Sequence, residues 1–134
     1  MYKFSERSIN NMKGLHPDMV KVMIESITNS PVDFTITCGA RTTEEQQSLY
    51  AQGRTKPGNI VTNCDGIKNK SNHQVKADGY GYAVDLYAYP IDVNDTQNIA
   101  VIADHIKKVS KQLGINIEWG GDWKMKDYPH FELK

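Results

Sequence analysis

Apolar positions recur along the chain with two different periods. In HPDMVKVMIESITNS, Val20, Met23, Ile24 and Ile27 return at the spacing of one helix face, with Pro17 in the first turn and Ser30-Pro31 as the stop. The stretch VDFTITCGA then alternates. Val32, Phe34, Ile36 and Cys38 fall on one side of a predicted strand, and Asp33, Thr35 and Thr37 on the other. A second helix is expected in RTTEEQQSLYAQG, where Thr42 and Glu45 have capping-box spacing and Gly53 suits a C-terminal stop. The longest periodic run begins after Asn94, its expected cap. Ile99, Ile102, Ala103, Ile106, Val109 and Leu113 form its stripe, and Gly114 closes it. YAVDLYAY, INIEW and HFEL read as strands, the last two joined by the polar turn GGDWKMKDYP.

Between these elements, Arg54 to Tyr82 is rich in Gly, Asn, Lys and Asp and has no sustained period. It is too long for an idle connection in a compact domain, so function or disorder is expected there. The predicted order is α-β-α-loop-β-α-β-β, without repeat or linker. That describes one α+β domain over residues 1–134, with helices packed on a small, largely antiparallel sheet.

Composition narrows the function classes. Sixteen Lys and Arg balance sixteen Asp and Glu, a formal net charge of +0. Nucleic-acid binders and membrane-surface proteins carry a basic excess, so neither partner is expected, although a local basic face remains open. No apolar run approaches the ~18 residues of a membrane span. The polar start MYKFSERSINNMKG has no signal-peptide core, which predicts synthesis in the cytoplasm. Cys38 and Cys64 are too few for a disulfide scaffold in 134 residues and are expected as free thiols.

Four histidines offer chemistry. His16, before Pro17, suits a local cap or the surface, and His105 lies off its helix stripe, facing solvent. His73 and His130 instead adjoin predicted strands, where ligands can be held rigidly. With Asp85 they make two imidazoles and a carboxylate, a donor set that catalytic zinc accepts while keeping one position for water. Spacing alone leaves this open, because Asp85 in AVDLYAY could equally pair with Arg41 or a lysine. Asp127, three residues before His130, could serve as a proton acceptor or simply as a turn residue. Asp122 and Glu132 compete for the former role. Arg41 could grip a substrate carbonyl or carboxylate, or sit in a surface turn.

The motifs GARTTEEQQSLYAQGRT, SNHQ with GYAVDLYA, and EWGGDW with DYPHFEL together resemble the zinc peptidases of the VanY and D-alanyl-D-alanine carboxypeptidase superfamily. The similarity is greatest to its L-alanyl-D-glutamate endopeptidase branch, which includes phage endolysins, and it extends from about Leu15 to Leu133. The resemblance implies one zinc per chain on His73, Asp85 and His130, with Asp127 as general base and Arg41 supporting the transition state. It implies substrate contacts from Arg41, Ser71 and Gln46. Tyr82 and Trp123 are expected in the cleft walls beside the loop. The spacer between His73 and Gly81 is longer than the family's, seven residues from Gln74 to Tyr80, which makes Asp78 a competitor for Asp85 and predicts an extended cleft rim. The implied activity is hydrolysis of the peptidoglycan stem peptide at L-alanyl-D-glutamate, by a monomer that reaches the cell wall through a separate pore. A D-alanyl-D-alanine carboxypeptidase and a non-catalytic, zinc-stabilised wall-binding module are the alternatives.

Overall fold

The computed structural model describes residues 1–134. The helices are α1 (Glu6–Asn11), α2 (Pro17–Thr28), α3 (Thr43–Ala51) and α4 (Thr96–Leu113), and the strands are β1 (Phe34–Cys38), β2 (Ala83–Ala88), β3 (Ile117–Trp119) and β4 (His130–Leu133). A single 3₁₀ turn, Gly120–Asp122, follows β3. The strands form one fully antiparallel sheet in the order β1-β2-β4-β3. The α+β expectation therefore holds, with one helix more than the apolar pattern predicts.

That extra helix, α1, is too short and polar to show a stripe. Its work is local: the Ser8 hydroxyl accepts from Ile36 N–H at 3.1 Å, and Asn11 Nδ2 donates to Ile36 C=O at 2.9 Å. Both groups lie on the open edge of β1. The helix thus satisfies an edge strand that could otherwise pair with another chain.

The core lies between one sheet face and the two long helices. Phe34, Ile36, Val84, Leu86 and Phe131 pack against Met19, Val22, Met23 and Ile27 of α2 and Ile99, Ile102 and Ile106 of α4. The buried stripe of α2 is Met19, Val22, Met23, Ser26 and Ile27, which turns Ile24, expected inside, out to 49% exposure. The i, i+3, i+4 pattern can be drawn through either set, and sheet contact selects the second. His16 caps α2, its Nδ1 accepting from Asp18 N–H at 3.1 Å. Helix α4 is capped by Asp95 rather than Asn94, since the Asp95 carboxylate accepts from Asn98 N–H at 3.2 Å. His105 is not simply solvated: its Nε2 donates to Ser26 C=O at 2.9 Å and ties α4 to α2.

Candidate active site

Strand alternation leaves the second face of the sheet for polar residues. Asp85 lies opposite Cys38 on β1 and opposite His130 on β4, so three adjacent strands set these residues in one row. Cys38 belongs to this row because the ladder shifts between Ile36 and Cys38. A strict alternation keeps Cys38 with Ile36 on the core face; the irregularity instead brings its thiol to the polar side, 3.3 Å from Arg41 Nη2 and 4.0 Å from His73 Nδ1.

His73 arrives from the irregular segment, which is pinned to the fold by main-chain bonds. Arg41 N–H donates to His73 C=O at 2.7 Å, and Val75 N–H donates to Arg41 C=O at 2.9 Å. Gln74, fully enclosed, donates from Nε2 to Gly66 C=O at 2.8 Å and to the Thr43 hydroxyl at 3.1 Å. The buried His73 ring donates from Nδ1 to Gly39 C=O at 3.0 Å, which leaves its Nε2 facing Asp85 Oδ1 at 3.3 Å. His130 approaches the same oxygen with Nδ1 at 3.5 Å, and its Nε2 is bonded to Glu132 Oε1 at 2.8 Å. Each imidazole therefore has one nitrogen fixed by the protein and the other turned toward Asp85 Oδ1. The two rings stand edge to face with centroids 5.0 Å apart.

The electrostatics point the same way. Burial pulls the His73 pKa down, but the bond to Asp85, aided by Cys38, outweighs it and raises the group to about 9. Burial likewise lowers His130 while Asp85 and Glu132 raise it, to a net increase. Asp85 itself is held far below the ordinary carboxylate range, since the two imidazoles overcome the effect of burial. An anionic centre that draws protons onto both neighbours is a place that attracts positive charge. A metal could be held here by His73, Asp85 and His130. Cys38, His73 and Asp85 also bring ligand atoms within 4.8 Å of one another.

A cleft of about 430 Å³ opens over these residues. Arg41, Lys70, Ser71, Trp123 and Asp127 line it, with Val61, Thr62 and Cys64 on one wall and Tyr87 on its floor. Asp127 stands at the lip, on the turn after β3. Its position depends on Gly120, where a Cβ would come 2.3 Å from Asp127 C=O, and on the Asp127 N–H bond to Gly120 C=O at 2.9 Å. The residue is exposed, yet the partly shielded carboxyl and then the charge of Asp85 push its pKa up. The rivals are engaged elsewhere: Asp122 pairs with Lys107 at 2.7 Å, and Glu132 serves His130.

Several expected residues lie outside the cleft. Gln46 is fully buried behind it, with Oε1 accepting from Arg41 Nη1 at 3.2 Å and Nε2 donating to Cys64 C=O at 2.8 Å. It positions Arg41 and the cleft wall instead of meeting a ligand. Tyr82 is turned away, its hydroxyl bonded to Asp78 and its ring packed on His16. The Gln74–Tyr80 spacer accompanies it and contributes nothing to the cleft rim. Asp78, bonded to Tyr82 and Tyr80, is apart from the two imidazoles.

A model of the phage L-alanyl-D-glutamate peptidase family matches residues 1–134. The chain belongs to this family. Among its relatives is the peptidoglycan L-alanyl-D-glutamate endopeptidase CwlK of Bacillus subtilis, 37% identical over 96% of this chain and 81% of CwlK. The L-alanyl-D-glutamate peptidase of Escherichia phage T5 is 29% identical over 99% of this chain and 90% of its own. The crystal structure of the L-Ala D-Glu endopeptidase ChiX of Serratia marcescens superposes with a TM-score of 0.69 at 28% identity, covering 98% of this chain and 90% of ChiX.

Sequence reasoning about this family member passed over Cys38, Glu132 as a partner of His130, and Tyr87. Glu132 had a signal: it lies two residues from His130 in a strand and so shares its face. Cys38 had none, because a ladder irregularity is invisible in an alternating pattern.

Proposed function

We propose that the chain is a zinc endopeptidase that hydrolyses the L-alanyl-D-glutamate bond of the peptidoglycan stem peptide, acting as a monomer on the cell wall in the manner of a phage endolysin. One observation carries the metal assignment. His73 Nε2 and His130 Nδ1 lie 3.3 and 3.5 Å from one carboxylate oxygen. These separations are long for charge-assisted hydrogen bonds, which run to ~2.7–2.9 Å. They match the edges of a tetrahedron with zinc bonds of ~2.0–2.1 Å, whose donors stand about 3.4 Å apart. The His130–Glu132 bond, at 2.8 Å, is by contrast an ordinary one. Gly39 C=O and Glu132 are the outer partners that ligating imidazoles require. Cys38 is the weaker third ligand, because its sulfur approaches the His73 nitrogen already bonded to Gly39.

When bound, zinc supplies a Lewis acid and lowers the pKa of a water at its open position to about 7. The protein's own residues do the rest. Asp127, unpaired and with a raised pKa, accepts the proton of the attacking water and returns it to the leaving amine. Arg41, anchored by Gln46, donates to the oxygen on which negative charge develops. Ser71 and Trp123 line the path of the peptide.

Digestion of purified peptidoglycan followed by mass spectrometry tests this reading. The expected products are glycan ending in lactyl-L-alanine and peptides beginning with D-glutamate, both abolished by a chelator and restored by zinc. Release of free D-alanine alone would establish a carboxypeptidase instead.

A further inference from the structure

The irregular segment has a charge that the whole chain conceals. Residues 54–82 contain Arg54, Lys56, Lys68, Lys70 and Lys76 against the acids Asp65 and Asp78, a net of +3 in a chain whose total is +0. The Lys and Arg ion pairs of the molecule are made by Arg41, Lys107 and Lys134, so none of these five is neutralised by a carboxylate. Asp65 is committed to its own turn, with Oδ1 accepting from the N–H groups of Ile67, Lys68 and Asn69 at 2.9–3.0 Å. Arg54 and Lys56 are tied to α3 through Tyr50 C=O and the Ser48 hydroxyl, and Lys76 lies over the Tyr82 ring. Of the five, only Lys70 lines the cleft.

Besides the two imidazoles and the metal they would hold, the cleft has the cationic side chains Arg41 and Lys70 beside the carboxylates Asp85, Asp127 and Glu132. Arg41 is already held by Gln46, Cys38 and Asp85. Lys70 is exposed and free. The substrate class adds a further charge: D-glutamate has two carboxyls, and whichever one continues the chain, the other is left a few bonds from the leaving nitrogen. That charge falls near Asp127, which repels it, and with the metal committed to its ligands and water a side-chain cation is the group left to meet it.

We propose that Lys70 is the specificity-determining residue of the cleft, pairing with the free carboxylate of the D-glutamate that follows the scissile bond. The inference rests on the peptidase reading above and deepens it: the preferred substrate carries a free carboxyl there, and its amide is disfavoured. Lys70 acts in recognition, so it changes substrate affinity and leaves the protonation steps alone.

The test uses the zinc-loaded Asp127→Asn chain, which keeps the peptide whole, and two muropeptides that differ only in a free or amidated glutamate carboxyl. Calorimetric titration should give about a tenfold preference for the free acid, the worth of one charge-assisted hydrogen bond. Adding Lys70→Gln should bring the ratio to about one, Lys70→Arg should keep it, and Lys68→Gln should leave it unchanged. Equal affinities before Lys70 is altered, a preference that survives Lys70→Gln, or an equal loss with Lys68→Gln would each overturn the assignment. Binding is read without turnover, so a wild-type chain that cleaves neither muropeptide would refute the peptidase reading while the preference stays measurable.

Discussion

Two regions of the molecule meet at the proposed metal centre, and they are built on opposite terms. Asp85, His130 and Glu132 stand on neighbouring central strands, their spacing set by sheet register. His73 and Ser71 come from a segment with no helix or strand of its own, held by two main-chain bonds to Arg41 and by side-chain bonds to Gly39 and Thr43. The sheet side gives a fixed geometry that tolerates little change. The loop side gives reach and, at Lys70, an unpaired cation on the cleft wall. One half takes its geometry from sheet register and the other from loop anchors, and the proposed chemistry draws on both.

The largest expected effect tests whether both halves hold the metal. His73→Ala and His130→Ala, and likewise Asp85→Ala, should each reduce bound zinc from about one per chain to background in elemental analysis. Full retention in both histidine variants would remove them from the ligand set. Asp127→Asn should fold, keep its zinc and lose ~10²–10⁴ in turnover, the usual worth of a positioned base. Near-normal hydrolysis by that variant would reassign the proton transfer. Glu132→Gln probes the sheet half alone: zinc affinity should weaken by ~10–100-fold in competition with a chelator while circular dichroism is unchanged. An unaltered affinity would show that His130 needs no orienting partner. Gln46→Leu probes the seam, since it leaves Arg41 and the Cys64 carbonyl without their buried partner. It should cost ~1–3 kcal/mol in denaturant unfolding. The smallest effect belongs to Asp78→Ala, for which zinc affinity should match the wild type; a loss would return Asp78 to the site.

The same division governs what the sequence made legible. Strands β2, β3 and β4, helix α4 and the capping box of α3 follow from periodicity and end signals, because a single packed face dictates them. Asp85 was noticeable as a carboxylate in an apolar strand, and its partners became specific only through the family resemblance. What stayed hidden depends on contacts between distant residues. The α1 helix is justified by Ile36 far along the chain, the α2 stripe is chosen by the sheet, and Cys38 is redirected by a local shift in register. Tyr82 and the Gln74–Tyr80 spacer were expected in the cleft because they neighbour ligands in sequence. Main-chain pairing of Lys76 with Tyr80 folds that spacer back on itself, away from the site.

The strand order has a consequence for how the molecule comes into being. Strand β4 is the last in sequence yet lies between β2 and β3, which have no bond to each other. Until residues 130–133 insert, β3 is an orphan and the core lacks Phe131, one of its two fully buried aromatics with Phe34. The pairing that completes the sheet is also the one that sets His130 opposite Asp85, across a long loop closure. Such distant pairings form late and slowly relative to local helices. The last strand to be made thus closes the sheet and brings His130 beside Asp85 in the same step.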